Sequence, residues 1–502
     1  MSETIKALPV LLGQGEVTLK TKALNEAQEP LALMEIAARR ALEDAGLAGA
    51  LQHIDSLDVV AEYSWPYADA PAQLAQQLGI APARLSYGEV GGESPLRFIH
   101  EAALRIQRGE SRAALVVGAE AEYSVQAARK AGANLPWSPR SIAPLKRGVS
   151  WLHPLAVQLG VAAPPSVYPF FENASLAAWG QTPAQALQES GRLWADFSRV
   201  AQGNAAAWTR QAFTPEDITH VTPENRLIAW PYSVRVIANP QVNQGAAVLL
   251  MDAVLAQALG AAPEKFLYLQ AGAAAAEPED YLQRANYSQV PAQQAVLDAV
   301  HAPVFDSVEL YSCFPVVPKM ARRAAGLAEG STLTTTGGLS LFGAPLNNYM
   351  THAVAAMMRE LRRQRGATAR RGLLYGQGGY ACTHHALVLS TQPPAAALSR
   401  DYSVQAAADA RRGPVPALDI GYQGPAVLET HTTLFERDGT PRHGVVIARS
   451  AQQGQTRLLA RVAPEDVQAI GRLTDSTRSP VGLPGQVYRA ADGLPHWQFT
   501  SG

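Results

Sequence analysis

Helix-spaced apolar segments alternate with continuous apolar runs along the first third of the chain. One helical pattern ends at Gly46, and another begins at Ser94 and Pro95, which are favoured as N-cap and first-turn residues. The run Ala113–Ala119 is typical of a strand that is buried on both faces. The alternation predicts a layered α/β fold, with helices over 32–47, 71–78 and 94–108 and strands over 56–64 and 113–119.

The second half of the chain repeats this plan after an interruption. Residues 125–230 are rich in Trp, Pro, Ser and Ala, and they predict an inserted region of loops and helices. The motif Gly-Gly-Leu-Ser at 337–340 then repeats the Gly-Gly-Glu-Ser at 91–94, and each motif precedes a long helix and a strand. This recurrence favours a duplicated α/β unit. The remaining predicted elements are strands over 241–255, 266–274, 305–310 and 372–375 and helices over 290–300 and 347–364.

The final segment has a different character. Residues 392–416 are rich in Ala and Pro, as linkers are, and the pattern beyond them is typical of strands. Asp438-Gly439 is a hairpin signal between two strand-like runs. We predict an α/β half over 1–255 with its loop domain at about 125–230, a second half over 256–395, a linker over 396–416, and a small β-rich, OB-like barrel over 417–502.

Composition narrows the class of protein. The 502 residues are 47% hydrophobic and 17% charged, which is ample apolar material for folded cores. A formal net charge of −1 gives no electrostatic case for nucleic-acid or anionic-membrane partners. Cys313 and Cys382 are the two cysteines, too few for a disulfide framework. No signal-peptide pattern or bilayer-length apolar stretch occurs, so we expect a reduced, cytoplasmic setting away from membranes.

Common catalytic motifs are missing from the sequence. It contains no P-loop, no Gly-x-Ser-x-Gly and no dinucleotide fingerprint between a strand and a helix. His100 and Glu101 begin a His-Glu-x-x-His pattern that lacks its second histidine, so we expect no metal there. His384 and His385 are adjacent on a predicted strand, so their rings point to opposite faces and at most one reaches a given site.

The order of several segments resembles the thiolase superfamily over roughly residues 5–395. The matching segments are GGESPLRFIHEAALRIQRGESRAALVVGAE, NQGAAVLLM, VELYSCFP, TGGLSLFGAPLNN and YGQGGYACTHHA. The resemblance implies two similar α/β halves, a loop domain inserted in the first half, and catalytic loops from both. The tail DIGYQGPAVLETHTTLFERDGTPRHGVVIAR is similar to the extra C-terminal domain of thiolase-like proteins of type 1, which are grouped with acetyl-CoA acetyltransferases.

Residues at the family's catalytic positions differ from those of a working thiolase. The nucleophilic cysteine corresponds to Gly92, which has no side chain to acylate. The histidine of the family's Gly-His-Pro motif corresponds to Ala344, and the asparagine of its Asn-Glu-Ala-Phe loop to Tyr311, so the first oxyanion hole is absent in its usual form. Ser94 is the nearest hydroxyl, and we favour a helix-capping role for it because no base is evident. The Gly92 N–H can still face a thioester oxygen.

Two further loops keep residues with candidate roles under the resemblance. Cys313 falls on the loop cysteine that is the catalytic acid/base in sterol-carrier-protein thiolases, and its alternative role is that of a small buried core residue. Gly378 and Gly379 keep the glycines of the second oxyanion loop. His385 is the better placed of the two adjacent histidines for a catalytic role, with simple core or surface packing as its alternative.

The helix start after residue 345 offers polar groups as well. Asn348 or Tyr349 is a candidate donor to a bound acyl carbonyl, with ordinary helix-start chemistry as the alternative, whereas Asn347 suits a helix cap.

These replacements lead to three hypotheses of function. The first is an enzyme of the acyltransferase superfamily that acts on an acyl-CoA thioester by α-proton transfer or retro-aldol cleavage, as thiolase-like aldolases do. The second is a degenerate thiolase that binds CoA or an acyl ligand without turnover, and the third is a scaffold. In the first two, a coenzyme A thioester is the substrate or ligand, no cofactor is permanently bound, and lipid metabolism is the expected setting.

Partners follow from the same resemblance. Basic side chains in the loop domain are candidates to meet the CoA phosphates, namely Arg129, Lys130, Arg140, Lys146 and Arg147. Thiolase folds pair through their central sheets, so we expect a homodimer, or a monomer if the C-terminal domain blocks that pairing.

Overall fold

The first half of the chain is built on one five-stranded sheet. The computed structural model describes residues 7–21, 23–141, 152–451 and 455–500. Up to α4, this half contains β1 (Pro9–Thr18), α1 (Pro30–Ala45), β2 (Ser56–Val59), α2 (Ala70–Leu78), β3 (Arg84–Tyr87), α3 (Ser94–Arg108), β4 (Ala113–Ala121) and α4 (Glu122–Ala131).

The loop domain is mainly helical and returns the chain to the same sheet. It contains α5 (Pro154–Gln158), α6 (Pro164–Ala178), α7 (Pro183–Gly203), α8 (Pro215–Thr219), β5 (Leu227–Ala229) and β6 (Tyr232–Ser233), and it is followed by β7 (Asn243–Asp252) and α9 (Ala253–Ala258). The long β7 pairs with β1 on one side and β4 on the other, which gives the strand order β1–β7–β4–β2–β3.

The second half contains a four-stranded sheet. Its elements are β8 (Tyr268–Ala276), α10 (Pro291–Ala299), β9 (Ser307–Leu310), α11 (Val316–Ala324), α12 (Gly338–Leu341), α13 (Tyr349–Arg363), β10 (Arg371–Gly378) and β11 (Thr383–Ser390). The strand order is β8–β11–β10–β9, with β9 and β10 parallel.

Helices α3 and α13 form the layer between the two sheets. They pack against each other and against strands of both halves. Their sequences suit this position because most residues of each are buried, more than the single stripe of a surface helix requires. Even the charged Arg105 of α3 is buried there, where it pairs with Asp58 of β2. The N-termini of these helices therefore open onto the boundary between the halves.

The C-terminal segment folds as a closed five-stranded barrel. After α14 (Gln405–Arg411) come β12 (Gly424–Phe435), β13 (Pro441–Ser450), β14 (Arg457–Val462), α15 (Val467–Leu473), β15 (Pro484–Arg489) and β16 (Pro495–Phe499). The order β13–β14–β16–β15–β12 closes because β12 also pairs with β13. The predicted α/β fold with a small C-terminal β-barrel is confirmed.

Helix α6 lies between the barrel and the core of the second half. The Asn173 amide donates to the His431 carbonyl (2.8 Å), and the Thr430 hydroxyl donates to the Phe170 carbonyl (2.6 Å). From the same helix, Tyr168 stacks on Phe314 with ring centroids 4.4 Å apart. Helix α6 thus contacts both the barrel and the loop after β9.

The stretch interpreted as a linker is an ordered part of the second half. It contains α14, in which Ala408 is buried, and the Val404 N–H donates to the Ala274 carbonyl of β8 (2.9 Å). Arg411 pairs with Asp298 at 2.7 Å. Its Ala and Pro content did not indicate this helix.

Across the described ranges, no helix combines the length and the apolar character that crossing a bilayer requires.

Candidate functional site

Loops from both halves meet at the N-terminus of α3, around Gly92. Tyr311 directly follows β9, and Gln377 lies near the end of β10. A Cβ atom on Gly92 would collide with the Tyr311 hydroxyl and the Gln377 carbonyl, and it would lie 2.8 Å from Cζ of Tyr311. The phenol therefore takes the space in which a side chain at position 92 would project, so any side chain there requires the ring or the loop after β9 to shift.

The Tyr311 ring is fixed by its surroundings. Its backbone N–H donates to the Tyr375 carbonyl (2.9 Å), and its ring meets that of Tyr349 edge-on with centroids 5.8 Å apart. Burial holds the pKa of the Tyr311 phenol well above its usual value, and nearby Cys313 and Glu93 add to the shift. The hydroxyl is consequently a neutral hydrogen-bonding group at physiological pH.

Cys313 lies two residues further along the same loop, in a buried setting. The Gln377 side-chain amide donates to its Sγ at 3.7 Å, and the Ala238 N–H donates to its carbonyl at 3.0 Å. Burial raises the pKa of the Cys313 thiol to about 12, against the opposing effects of Tyr168 and Gln377. The group is therefore a neutral thiol near pH 7, and its role in proton transfer stays a prediction.

The loop that contains Gly91 and Gly92 lies next to the loop that contains Gly378 and Gly379. A Cβ on Gly378 would lie 3.1 Å from the Gly92 nitrogen and 2.6 Å from Oγ1 of Thr383. Gly379 adopts a φ of 62°, and its carbonyl accepts a hydrogen bond from the Tyr168 hydroxyl (2.9 Å). The structure thus brings Gly378 beside Gly92, as a shared oxyanion site requires, while the donor roles themselves stay predictions.

Glu93 and Ser94 are the polar side chains nearest to Gly92 along the chain. Glu93 is 8% exposed and Ser94 is 1% exposed. Within the described part of the chain, neither Oε2 of Glu93 nor Oγ of Ser94 has a hydrogen-bond partner. Burial raises the pKa of the Glu93 carboxyl above its usual value. Buried polar atoms without partners are rare, and they mark a place where a ligand can supply the missing bond.

The expectation that Ser94 caps α3 is wrong. The helix has Glu93 in the N-cap position, without a side-chain cap bond, and Ser94 is already its first helical residue. Sequence reasoning also missed Glu93. A charged residue between two glycines and a buried helix was the available signal, but its burial depends on the loop after β10, which no local pattern reveals.

The polar residues before α13 are engaged by the chain itself. Asn347 accepts from the Gly91 N–H (3.1 Å) and donates to the Ala61 carbonyl (2.8 Å), so it ties the Gly91 loop in place and does not cap the helix. Asn348 donates to the Gly118 carbonyl and accepts from the Thr351 hydroxyl, each at 2.6 Å. Ala344 is buried, and its N–H donates to the Asn239 carbonyl (2.8 Å).

The two adjacent histidines point to opposite faces of β11, as predicted. His385 Nε2 lies 3.1 Å from Nδ1 of His100, whereas His384 Nδ1 lies 2.7 Å from the Tyr375 hydroxyl. Burial lowers the pKa of His384 to about 3 and that of His385 well below its usual value. His385 therefore packs, uncharged, against α3, and the described contacts do not link it to Cys313; its catalytic role stays a prediction.

Of the five basic residues proposed to contact the CoA phosphates, the structure describes three. Arg129 and Lys130 are exposed at the end of α4, and Arg140 lies over the Trp65 ring at 5.6 Å. Lys146 and Arg147 lie outside the described residues. Phosphate binding by these side chains stays a prediction.

Comparison with known proteins gives the fold a family context. Residues 404–492 match the family model for the additional C-terminal domain of thiolase-like protein type 1. The chain is similar to a monomeric SCP2-thiolase like protein type 1 from Mycobacterium smegmatis, with 27% identity, complete coverage of both chains and a TM-score of 0.81. No curated protein sequence matches the chain.

Two other solved structures share the fold at lower identity. An aldolase named Ltp2-ChsH2(DUF35) is 17% identical, with 77% of this chain and 98% of that chain covered and a TM-score of 0.59. Human mitochondrial 3-ketoacyl-CoA thiolase, solved in complex with CoA, is 13% identical over 78% of this chain and 100% of that chain, with a TM-score of 0.56.

The paired α/β halves, with loops that meet at Gly92, have a thiolase-like fold, similar to the solved structures of a thiolase-like protein type 1 and of thiolases. The chain resembles the thiolase-like proteins of type 1, both along its full length and in its additional C-terminal domain.

Proposed function

We propose that the protein binds acyl-CoA thioesters at the N-terminus of α3 and acts on them without forming an acyl-enzyme. The observation that carries this proposal is the Tyr311 hydroxyl, which fills the space of a side chain at position 92. Acyl transfer through a covalent intermediate needs a nucleophilic side chain at the acyl carbon. Gly92 has none, and burial keeps the Tyr311 phenol protonated.

The binding half of the proposal rests on the helix terminus. The Gly92 N–H lies at the positive end of α3, next to Gly378 and within one turn of the unpartnered Ser94 hydroxyl. Peptide N–H groups and a helix N-terminus stabilise a carbonyl oxygen that gains negative charge. A thioester carbonyl fits this set, and a thiolase of the same fold was solved with CoA bound.

The chemistry proposed for the bound thioester is proton transfer at its α-carbon, with Cys313 as one candidate acid/base. Retro-aldol cleavage would begin from the same enolate, and an aldolase shares the fold. A second candidate function is binding without turnover. The protonated state of the Cys313 thiol near pH 7 and the lack of a side chain at Gly92 favour it.

Calorimetry and intact-mass spectrometry with acetyl-CoA and a longer acyl-CoA test the proposal. We expect binding of at least one thioester with no covalent adduct. Gly378→Ala should abolish binding, because its Cβ would crowd the Gly92 nitrogen and Thr383. Gly366→Ala is the matched control, since an added methyl there meets only the Gln364 carbonyl at 4.0 Å. An adduct would show a relocated nucleophile, and absence of binding would leave the fold as a scaffold.

The oligomeric state belongs to the same proposal. The relative from Mycobacterium smegmatis is described as monomeric, and we extend that state to this chain. The edge strand β3, with Leu85 and Tyr87 exposed, is the alternative pairing surface. Light scattering should give the mass of one chain, 53.5 kDa, and twice that mass would show a dimer.

A further inference from the structure

The carboxyl group of Glu93 lies in the wall of the site, between its two glycine loops. A Cβ on Gly91 would lie 2.6 Å from Oε2 and 2.7 Å from Oε1 of this carboxyl, and a Cβ on Gly378 would collide with Oε2. Because neither residue has a side chain, there is room for the Glu93 carboxyl between them. The side chain follows directly after Gly92, whose N–H is the proposed donor to a thioester oxygen.

No basic side chain in the described ranges forms an ion pair with Glu93. Arg97, one helical turn further on, has its ion pair with Glu101 at 3.7 Å. Oε2 has no hydrogen-bond partner among the described residues, and the residue is 8% exposed; the Thr383 hydroxyl and the Arg97 guanidinium favour the charged form of the carboxyl without offsetting the effect of burial. Burying such a group costs free energy, so it is a poor choice for a purely structural position. Burial also raises the pKa of the Glu93 carboxyl, which brings its proton exchange closer to neutral pH.

Glu93 and Cys313 both lie close enough to the Tyr311 and Tyr375 hydroxyls to raise the pKa of each phenol. The Cys313 thiol, with a pKa of about 12, supplies very little thiolate near pH 7. Burial raises the pKa of the Glu93 carboxyl as well, but a carboxyl starts from an ordinary value of 4.5, against 9.0 for a thiol. Of the two groups, Glu93 is better matched to removing a proton at neutral pH.

We propose that Glu93 is the acid/base that removes and returns the α-proton of the bound thioester. The inference rests on the proposed function and names the residue that performs its proton transfer. The Glu93 carboxylate takes the proton, and the C–H electron pair forms the bond between the α-carbon and the carbonyl carbon. The carbonyl π-pair moves to the oxygen, which the Gly92 N–H and the Ser94 hydroxyl hold as an enolate. Return of the proton restores the thioester, so no oxidant or reductant is required.

Exchange of α-protons in D₂O, followed by proton NMR of acetyl-CoA and butyryl-CoA with the full-length protein, tests this role. We expect Glu93→Gln to slow the exchange by 100-fold or more while calorimetry gives a Kd within threefold of the unchanged protein. Glu93→Asp should restore part of the rate. Glu465→Gln, a change at an exposed glutamate of the C-terminal barrel region, is the control and should leave the rate unchanged. The rate should rise with pH and level off above the raised pKa of Glu93.

Other results would contradict either the role of Glu93 or the binding of a thioester. Undiminished exchange in a folded Glu93→Gln variant that still binds would remove Glu93 from the reaction. Complete loss of exchange in Cys313→Ala would assign the proton to the thiol. Binding without exchange in the unchanged protein would overturn the inference alone, whereas no binding of either thioester would defeat the proposed function beneath it. Melting curves of the Gln and Asp variants separate these results from misfolding.

Discussion

The hydroxyl of Tyr311 lies in the position that a side chain on Gly92 would have to occupy. The two residues come from different halves, one from the loop after β9 and the other from the loop before α3. The glycine at position 92 and the phenol of Tyr311 are therefore linked by the space that they share. A cysteine placed at position 92 would face both the Tyr311 ring and the Gln377 carbonyl.

Gly92→Ala tests this relationship directly. The added methyl collides with a fixed ring and a backbone carbonyl, so we expect a loss of about 1–3 kcal/mol in unfolding free energy. Thermal melting measures the change. Gly471→Ala is the control, because nothing lies within 4 Å of its Cβ and the residue is in α15, where alanine should be neutral or slightly stabilising. Equal melting temperatures for both variants would mean that the site yields easily.

The reactivity of the cysteines provides a second prediction. Burial raises the pKa of Cys313 to about 12 and that of Cys382 above its usual value. Since the thiolate is the reactive form, we expect neither side chain to react with iodoacetamide at pH 7.5 in the folded protein. Both should be labelled in guanidinium chloride, which serves as the control. Rapid labelling of Cys313 in the native protein, located by mass spectrometry, would show an accessible thiolate.

The buried ion pair between Lys319 and Glu172 is expected to be sensitive to removal of one partner. Lys319 Nζ lies 2.7 Å from the Glu172 carboxylate, which also accepts from the Tyr232 hydroxyl (2.7 Å). Lys319→Met leaves that carboxylate without its cation, and we expect a loss of about 3–5 kcal/mol in unfolding free energy.

Chemical denaturation measures that loss, with a surface pair as comparison. Arg192 and Glu329 are 3.6 Å apart and more than half exposed, so Arg192→Met should change stability by less than about 0.5 kcal/mol. The double variant Lys319→Met with Glu172→Gln should recover part of the loss. A Lys319→Met protein as stable as the Arg192→Met protein would contradict the argument.

Glu120 and Glu62 predict a dependence of stability on pH. Burial raises their pKa values to about 8 and about 7. The folded state therefore keeps protons that the unfolded chain releases, so stability declines as pH rises from the ordinary value near 4.5 to about 8. For Glu120 alone, the decline should be on the order of 2–5 kcal/mol.

Melting temperatures of Glu120→Gln between pH 5 and 9 check this sign. The variant should lose less stability over that range than the unchanged protein, because it has no proton to release at this position. Glu465→Gln, at an exposed position, should follow the unchanged protein throughout. A steeper decline in Glu120→Gln would show that the carboxylate form stabilises the loop through its bonds from the N–H groups of Tyr63 and Ser64.

Much of the fold was predictable because local signals and packing agree. Helix α3 spans Ser94–Arg108 as predicted, and the helix of the second half, expected over 347–364, spans Tyr349–Arg363. Strands β15 and β16 were not predicted, since they are only six and five residues long and gain their pairing from barrel closure. The local sequence pattern carries no information about barrel closure, which depends on contacts between strands distant in sequence.

The site was less predictable for a related reason. The glycine at position 92 was evident from the sequence, but the phenol that fills its space comes from a loop more than two hundred residues away. Likewise, a glutamate next to a helix start is most often solvated, and Glu93 is buried in part because Gly376 and Gly378, from the other half of the chain, lie against it. Chemistry that depends on contacts between halves is not encoded in any one segment.

The barrel strand β12 pairs with β5 of the loop domain, through Leu434 and Ala229. Strand β5 leaves the ribosome about two hundred residues before its partner, so during synthesis the loop domain has an unsatisfied strand edge. Such edges attract other chains. Synthesis of the barrel strand β12 is therefore also the step that protects the loop domain, and chains that stop before β12 should be the species that chaperones or proteases capture.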